Sequence, residues 1–571
     1  MTVTPAAPPP RRAGAGRPAP PGRDPARRRT LPRHGPQTPD VTETPMTAST
    51  PPAGPGRSAS PAGRGPHPGP VARGADPRGL LGRLDALRET DLPVRGGRTM
   101  AYVYDSGLDG VEELAAAAQA RFAGVNGLDM TAFPSVVTLE NAVVGRAARL
   151  LGGGPETAGT FTSGGTESCL LAVLTAREHA RRTRGVTSPE LVLPTTVHAA
   201  FHKAAALFGL RTVSVPVDPV TYRARPEDLA AAVTPDTALV VVSAPSYAHG
   251  VIDPVAEVAA EAERRGVLCH VDACIGGWYL GHLRHADGVP HPPAFDLSVP
   301  GVTSLSVDLH KYGYTAKGAS VLLFRDAELR RHGWFAHASW PGYPVVNATL
   351  QGTKSAGPLA AAWAVLEHIG TDGYTELSRR VHEATASLAA GIGAIDGLRV
   401  LARPEASLIA VAAEDPALLD VFVVADEIRA DGWYLQPQPA FGGSPANLHL
   451  TVTAAVAGEE TVHSLLSDLG RAVARARALG PAAVDPALVE AAAGLDPDAL
   501  GPEEVELALT LAGIGADGAL PERMAPVLAV LQALPPRLTE RLLPEVIGRL
   551  YHPEPAVPPA REAEGPSGEG G

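Results

Sequence analysis

The stretch TSLSVDLHKYGYTAKGASVLLF, residues 303–324, decides the fold. Two short apolar runs of strand length, 304–309 and 319–324, flank a polar turn that contains Lys311. The first run leads Lys311 to the end of a buried strand, whereas most lysines lie on the solvated surface. A lysine amine whose surroundings lower its pKa becomes a nucleophile for carbonyl carbons. The stretch therefore predicts a sheet that carries a reactive amine at the end of one strand.

Further apolar, β-branched runs lie upstream of this stretch, and segments with helical spacing separate several of them. The predicted strands are 191–196, 212–217, 238–244 and 267–273. The predicted helices are 166–182, 226–233 and 254–265. Strands that alternate with helices predict an α/β fold with a mostly parallel central sheet covered on both faces.

A second, smaller α/β unit is predicted towards the C-terminus, with helices at 374–392 and 418–431 and strands at 407–413 and 447–453. The whole chain is predicted to have six parts. They are a disordered Pro/Arg-rich tail (1–78), an N-terminal helical segment (79–150), a large domain (151–369), a small C-terminal α/β domain (370–480), a helical appendage (481–552) and a second disordered tail (553–571).

Charge is distributed unevenly along the chain. Residues 1–78 carry +8 from 12 arginines and four acidic residues, which leaves −20 on the remainder. They also hold 20 of the 57 prolines and few large apolar side chains, and such a segment is predicted to be disordered. Met46 lies within it and is a second candidate start codon beside Met1. A globular part this acidic repels nucleic-acid backbone, so no nucleic-acid partner is expected.

Cys169, Cys269 and Cys274 have the spacing of neither a disulfide framework nor a zinc site, so no metal is expected. Few free thiols fit a reducing compartment, and we predict a cytoplasmic location. The sequence contains no apolar run of about 18 residues or more, so no membrane span is expected. No apolar stretch follows Arg11 and Arg12, so no secretion signal is expected.

The segment TSGGTES, residues 162–168, directly precedes a predicted helix. A helix start offers unpaired N–H groups and a partial positive charge, and Gly164 and Gly165 let an anion approach the backbone. Thr166 adds a hydroxyl donor. Alone, such a segment is no more than a helix cap; beside the other motifs, it is a candidate phosphate cradle.

Asp272 ends the predicted strand at 267–273, and ligands of open parallel sheets bind beyond the carboxyl ends of the strands. An isolated Asp there is typical of a helix cap or a structural ion pair. Together, however, the cradle, this carboxylate and the amine of Lys311 can hold a phosphate, a pyridine nitrogen and an aldehyde. Pyridoxal 5′-phosphate (PLP) requires these three groups, so we predict PLP as the cofactor.

Many short motifs occur in the order in which they occur in the PLP-dependent group II decarboxylase family, which the chain resembles between about residues 95 and 455. The resemblance is greatest to its sphingosine-phosphate lyase-like members. The motifs are NGLDMTAFPS (126–135), TFTSGGTESCLLA (160–172), VHAAFHKAA (197–205), SAPSYAHGVIDPV (243–255), HVDACIGGW (270–278), SVDLHKYGYTAKGASVLLFR (306–325) and, more weakly, GYPVVNATLQGTKSAGPLAAAWAVL (342–366).

The resemblance implies a fold-type I, aspartate aminotransferase-like fold and a homodimer, with 79–150 serving the dimer and active site and 151–369 binding PLP. Lys311 would form the Schiff base with the cofactor, Asp272 would pair with its ring nitrogen, and His198 would stack on the ring. The implied phosphate contacts are Gly164, Gly165, Thr166 and His310, with Gly352 and Thr353 reaching the neighbouring subunit's phosphate. The implied substrate-pocket residues are Tyr104, Asn126, Asp129 and Lys317, and His249 would lie near the ring.

The preferred prediction is a PLP-dependent carbon–carbon lyase, and within that class an amino-acid decarboxylase acting on a small amine or amino acid. Asp129 replaces the His of the lyases' N-P-L-H segment, and this anion should disfavour a phosphorylated substrate. The Arg of their G-S-R loop is Lys354, which lacks the bidentate fork of Arg. The alternatives are a sphingosine-phosphate lyase-like aldehyde-lyase, an aminotransferase and a non-catalytic PLP-binding protein. No obvious Arg set supports the aminotransferase, and intact Lys311 and Asp272 argue against a non-catalytic protein.

Overall fold

The computed structural model describes residues 76–511 and 521–551. Met46, the predicted tail at 553–571 and all but the last three residues of the tail at 1–78 lie outside the described residues. Helix α1 (Pro77–Leu87) belongs to a unit of its own and buries none of its residues. It begins two residues before the predicted start of order, at a proline, which suits the first turn of a helix.

A second unit begins at Arg88 and contains the remaining described elements. Its α-helices are α2 (Val111–Arg121), α3 (Pro134–Leu150), α4 (Gly165–Arg184), α5 (Ala199–Phe208), α6 (Pro226–Ala232), α7 (Val255–Arg264), α8 (Gly276–Leu283), α9 (Ala327–Arg331), α10 (Gly357–Gly393), α11 (Val421–Ala430), α12 (Glu459–Leu479), α13 (Pro486–Ala493), α14 (Pro502–Leu511), α15 (Ala525–Ala533) and α16 (Pro536–Leu550). Short 3-10 helices cover Arg88–Thr90, Ala454–Val456 and Pro497–Ala499. No described helix has both the length and the apolar character needed to cross a membrane.

The large sheet has seven strands in the order β1-β7-β6-β5-β4-β2-β3. They are β1 (Ala158–Thr162), β2 (Glu190–Pro194), β3 (Arg211–Val215), β4 (Thr237–Ser243), β5 (Leu268–Asp272), β6 (Ser304–Asp308) and β7 (Ser320–Phe324). Pairs among β2–β6 are parallel, and β7 runs antiparallel to both β1 and β6. The predicted α/β fold with a mostly parallel sheet is therefore confirmed.

Both faces of this sheet are covered, as the continuous apolar runs of its strands require. In β2, Leu191 and Leu193 belong to one buried cluster with α4 and α5, whereas Val192 belongs to the larger cluster on the other face. This alternation follows from the period of two in strand side chains. The strand β1 was missed by the prediction, because its sequence AGTFT carries little apolar signal before Phe161.

A second sheet has four strands in the order β10-β11-β13-β12, all antiparallel. Its strands are β10 (Leu398–Val400), β11 (Leu408–Ala413), β12 (Gln436–Gln438) and β13 (Asn447–Thr451), and a separate hairpin joins β8 (Phe335–His337) to β9 (Val345–Asn347). The helix predicted at 374–392 is the second part of α10, which is bent at Gly370. Beyond α12, the start of α15 is capped by Asp426, which accepts from Met524 N and Ala525 N at 2.9 Å each. The domain boundaries drawn from the sequence remain predictions.

Candidate active site

A cavity of about 560 Å³ lies at the carboxyl edge of the large sheet. Because β1, β5 and β6 point the same way, their last residues Thr162, Asp272 and Asp308 meet at this edge. The predicted site residues that line the cavity are Tyr104, Gly164, Gly165, Thr166, His198, Asp272, His310, Lys311 and Lys317. The fold thus brings together motifs that lie far apart in the sequence.

The start of α4 forms one wall of the cavity. Its N-cap is Gly164, and no side chain of the described structure caps its first turn. A Cβ atom at Gly165 would lie 2.6 Å from the Oδ2 atom of Asp308, so only glycine fits there. Glu167 holds the loop in place, because its Oε2 accepts from Ser163 N at 2.7 Å. The uncapped N–H groups and the helix dipole make this wall suitable for binding a phosphate.

Lys311 lies on the floor of the cavity, and its Nζ is 2.9 Å from the Oδ2 of Asp308. Burial lowers the pKa of Lys311, but the Asp308 carboxylate overrides this effect and raises the pKa well above that of an ordinary lysine. Burial likewise opposes ionisation of Asp308, yet Lys311 and His310 hold its pKa below the usual value. The Oδ1 of Asp308 is buried and has no hydrogen-bond partner within 76–511 and 521–551. The pair is therefore an ammonium beside a carboxylate with spare hydrogen-bonding capacity.

Asp272 is 8% exposed, and its Oδ1 accepts from Cys274 N at 3.1 Å. His270 lies behind it, with Nδ1 2.8 Å from the hydroxyl of Ser304 and Nε2 3.2 Å from that of Ser306. Burial lowers the pKa of His270 to about 4, so this ring is neutral at physiological pH. Asp272 therefore offers the cavity a carboxylate without a neighbouring imidazolium.

His198 is the N-cap residue of α5, and its Nδ1 accepts from Ala200 N at 3.2 Å. This hydrogen bond leaves the proton of the neutral ring on Nε2. The ring lines the cavity and is edge-on to Tyr247, with centroids 6.5 Å apart. A capping bond thus fixes the orientation of a planar ring on the cavity wall.

Lys317 and two tyrosines form another part of the cavity wall. The Nζ of Lys317 donates to Tyr102 O at 2.9 Å and lies 5.1 Å from the ring centroid of Tyr104. Burial, followed by the charge of Lys311, lowers the pKa of Lys317. Burial raises the pKa of Tyr104 to about 12, so its hydroxyl stays protonated. This part of the wall offers the cation of Lys317 and the phenol donor of Tyr104.

His310 lines the cavity beside Asp308, with its Nε2 3.7 Å from the Oδ2 of that carboxylate. Its Nδ1 accepts from Ala319 N at 3.3 Å. Burial lowers the pKa of His310, which favours the neutral ring and leaves Nε2 as the N–H donor.

Four predicted site residues do not line this cavity: Asn126, Asp129, Gly352 and Thr353. The Oδ1 of Asn126 accepts from Leu128 N at 3.1 Å. Asp129 is exposed, and its Oδ1 accepts from Thr131 N at 2.8 Å and from the Thr131 hydroxyl at 2.6 Å. Those hydrogen bonds lower the pKa of Asp129. Its carboxylate thus stabilises a local turn and does not enter the cavity of its own chain.

His249 also lies elsewhere than expected, because it lines a smaller cavity of about 80 Å³. Its ring stacks on Tyr222 with centroids 4.0 Å apart, and its Nε2 lies 2.9 Å from the Ser444 hydroxyl. His249 therefore does not line the cavity of about 560 Å³ in its own chain, and its expected place near the ring of the cofactor stays a prediction.

Several cavity residues were not predicted. Asp308 could have been found, because it ends β6 as Asp272 ends β5. Cys169 and Tyr247 lie within recognisable motifs but were given no role, and Gln436 comes from the second sheet, which no local pattern connects to this edge.

The family model for the pyridoxal-dependent decarboxylase conserved domain matches residues 99–413. The chain belongs to the pyridoxal-dependent decarboxylase family. PLP is accordingly its cofactor and PLP-dependent lyase its enzyme class, so both predictions are confirmed. A second family model, described as a C-terminal candidate HTH domain of pyridoxal-dependent enzymes, matches residues 472–549.

Several sphingosine-1-phosphate lyases are among the similar proteins. The chain is 38% identical to that of Dictyostelium discoideum over 59% of its own length, and it spans only 61% of that relative. It is 35% identical to that of Oryza sativa subsp. japonica, over 73% of this chain and 77% of the relative. A solved structure of the Burkholderia pseudomallei sphingosine-1-phosphate lyase matches with a TM-score of 0.67 and 35% identity, over 73% of this chain and 94% of that one. The predicted fold type and family resemblance are thereby confirmed.

The cavity residues fit PLP on structural grounds. The Gly165 wall leaves room that a Cβ would fill, and the buried Oδ1 of Asp308 is free to accept a further hydrogen bond. Lys311 would provide the amine for an aldehyde once its proton has left, and Asp272 would provide a carboxylate for a ring nitrogen. These residues would hold the cofactor.

Proposed function

We propose that this PLP-dependent lyase is an aldehyde-lyase, which splits the carbon–carbon bond between an amine-bearing carbon and a hydroxyl-bearing carbon. The similarity to sphingosine-1-phosphate lyases supports this reaction over the preferred prediction, amino-acid decarboxylation. The preference for decarboxylation depended on Asp129, and its carboxylate is bound within a local turn. The residues of the cavity wall therefore bear on the identity of the substrate.

The position of Lys317 on the cavity wall is the observation that carries the proposal. It places a cation on the cavity wall beside Tyr102 and Tyr104. No arginine occurs among the described residues that line the cavity, so the bidentate clamp typical for an α-carboxylate is missing from them. A point cation beside exposed aromatic surface suits a phosphorylated amino alcohol with an apolar chain.

The chain's own residues have distinct proposed roles. PLP, when bound, supplies an electron sink for the electrons of the broken bond. Lys311 would hold the cofactor and afterwards move a proton with its Nζ. Asp272 would keep the ring nitrogen protonated, and the flat ring of His198 would hold the cofactor in its plane. Tyr104, which stays protonated, would donate a hydrogen bond to the substrate.

The proposal includes a homodimer. Gly352 and Thr353 lie in the loop before α10 and outside the cavity lining of their own chain. Their predicted role is to reach the phosphate in the neighbouring subunit. Asn126 pairs with the same loop through a β-bridge to Ser355. It would therefore reach the neighbouring subunit together with this loop.

A product assay tests the reaction. PLP-loaded protein is incubated with dihydrosphingosine phosphate and, separately, with the common L-amino acids, and products are identified by mass spectrometry. A fatty aldehyde with phosphoethanolamine is the expected result. An amine lighter than its parent by CO2 would instead establish a decarboxylase, and a keto acid an aminotransferase. No product from any compound would favour a non-catalytic PLP-binding protein.

The variant K317M tests the role of the cation. We expect KM for a phosphorylated substrate to rise by about tenfold or more, because each 1.4 kcal/mol of lost binding is a factor of ten. The matched control is K203M, since Lys203 is exposed on α5 and outside the cavity lining. Equal KM values for K317M and K203M would contradict the assignment.

A further inference from the structure

Three buried ligand-type side chains meet at the cavity wall. A sulfur of Cys169, a sulfur of Cys274 and a carboxylate oxygen of Asp272 all lie within 4.8 Å of one another. Their exposed fractions are 1%, 6% and 8%, and all three residues line the cavity. Cys169 comes from the first turns of α4 and Cys274 from the residue pair after β5. The fold therefore assembles a cluster that cysteine spacing in the sequence does not reveal.

We propose that Cys169, Asp272 and Cys274 form a site for a thiophilic divalent cation, such as Zn2+, in the cofactor-free protein. Zinc binds thiolate sulfur at about 2.3 Å and carboxylate oxygen at about 2.0–2.2 Å, so tetrahedral ligands lie about 3.5–3.8 Å apart. Atoms already within 4.8 Å reach that spacing through small side-chain movements. This site departs from the expectation of no metal.

The ligand set selects the class of cation. Two sulfurs favour zinc and cadmium over magnesium and calcium, which prefer oxygen ligands. Three protein ligands leave the fourth position open to water from the cavity, as in open zinc sites. Neither thiol is ionised in the metal-free protein, because their pKa values are raised. Binding one cation therefore converts two thiols to thiolates and releases two protons.

The metal and the cofactor compete for the site, because both need Asp272. The carboxylate that would pair with the ring nitrogen of PLP is the oxygen ligand of the cation. A cation held between Cys169 and Cys274 would also occupy the wall next to Gly165, since the Cys274 sulfur lies 2.9 Å from a Cβ placed there. The inference rests on family membership for the cofactor and is independent of which carbon–carbon bond the enzyme cleaves.

The test uses full-length protein stripped of PLP, kept reduced with a phosphine and titrated with Cd2+. Ultraviolet absorbance reports thiolate-to-cadmium charge transfer, and a pH indicator reports proton release. We expect one Cd2+ and two protons per chain, displacement by Zn2+, and no charge-transfer band in the PLP-loaded protein. A PLP-loaded protein that binds Cd2+ without releasing its cofactor would overturn the proposal.

The variant C169S should weaken Cd2+ binding by about 10²-fold or more while still binding PLP, which shows that the cavity is folded. C169A serves the same comparison if serine destabilises the helix. The matched control is C269S, because Cys269 is buried in β5 but does not line the cavity, and its Cd2+ affinity should equal that of the unaltered protein. Equal losses in C169S and C269S, or no loss in C169S, would refute the site.

Discussion

The Oδ2 of Asp308 lies 2.9 Å from the Nζ of Lys311, and the carboxylate that makes this contact is only 2% exposed. The strand β6 ends at Asp308, and Lys311 follows three residues later. The chain turns between them, which brings the two side chains together. Asp308 favours the charged form of Lys311, whereas attack on an aldehyde needs the neutral amine. Uptake of PLP is therefore expected to depend on a proton leaving this pair.

The variant D308N should speed PLP uptake by the cofactor-free protein at neutral pH. The pKa of Lys311 is raised, so in the unaltered protein the neutral amine and the uptake rate both increase as pH rises. Removing the anion lowers that pKa and moves the rate profile to lower pH, by about a factor of ten in rate for each unit of pKa. Visible absorbance of bound PLP, followed over time across a pH series, measures this shift.

The matched control for D308N is D287N, because Asp287 is exposed and outside the cavity lining. Its uptake profile should coincide with that of the unaltered protein. A D308N profile that also coincides would show that Asp308 does not control the protonation of Lys311.

The variant D272N should retain PLP but lose turnover by about 10²-fold or more, because an amide cannot keep the ring nitrogen protonated. The measurement pairs kcat with the absorbance spectrum of the bound cofactor, which should change with the protonation of the ring. If kcat and spectrum both stay as they are, Asp272 has only a structural role.

The variant G165A should weaken PLP binding by at least about tenfold. Its Cβ would lie 2.6 Å from Asp308 Oδ2 and 2.9 Å from Cys274 Sγ, and overpacking of this kind costs about 1–3 kcal/mol. A PLP titration of the cofactor-free protein measures the loss. In the control G154A the added Cβ meets no atom within 4 Å, so its affinity should be unaltered. Equal affinities in the two variants would contradict the close fit.

The variant E167Q should also weaken PLP binding, by about tenfold. Glu167 accepts from Ser163 N at 2.7 Å and from Leu350 N at 2.8 Å, so its two oxygens tie the cradle to the loop before α10. Glutamine has one acceptor oxygen, and a buried N–H left unpaired costs about 1–3 kcal/mol. Hydrogen exchange of the backbone amides of residues 348–353 should become faster, because Leu350 N loses its acceptor.

The control for E167Q is E178Q on the same helix, since Glu178 pairs with Arg177 instead of with either loop. If E178Q perturbs PLP binding as much as E167Q does, the effect of E167Q belongs to the helix and not to the two loops.

The catalytic edge of the sheet could be predicted because strand ends leave local signals. Lys311, Asp272 and the glycines of the cradle each follow or begin an element with clear periodicity, and parallel strands bring such ends together. Asp129 shows the limit of this reasoning. Its replacement of a family His was visible, but its hydrogen bonds to Thr131 were not. The approach of Cys169 to Cys274 depends on how α4 lies over β5, which no spacing encodes.

Helix α10 links the two apolar cores of the second unit beyond its bend at Gly370. Tyr374, Leu377 and Val381 belong to the core of the large sheet, whereas Leu388 belongs to the core of the small sheet, together with Ala384 and Ile392. Unfolding of either core would remove packing partners from α10, and the other core also depends on this helix. The two sheets should therefore denature in a single cooperative transition, and a calorimetric trace should show one peak for both.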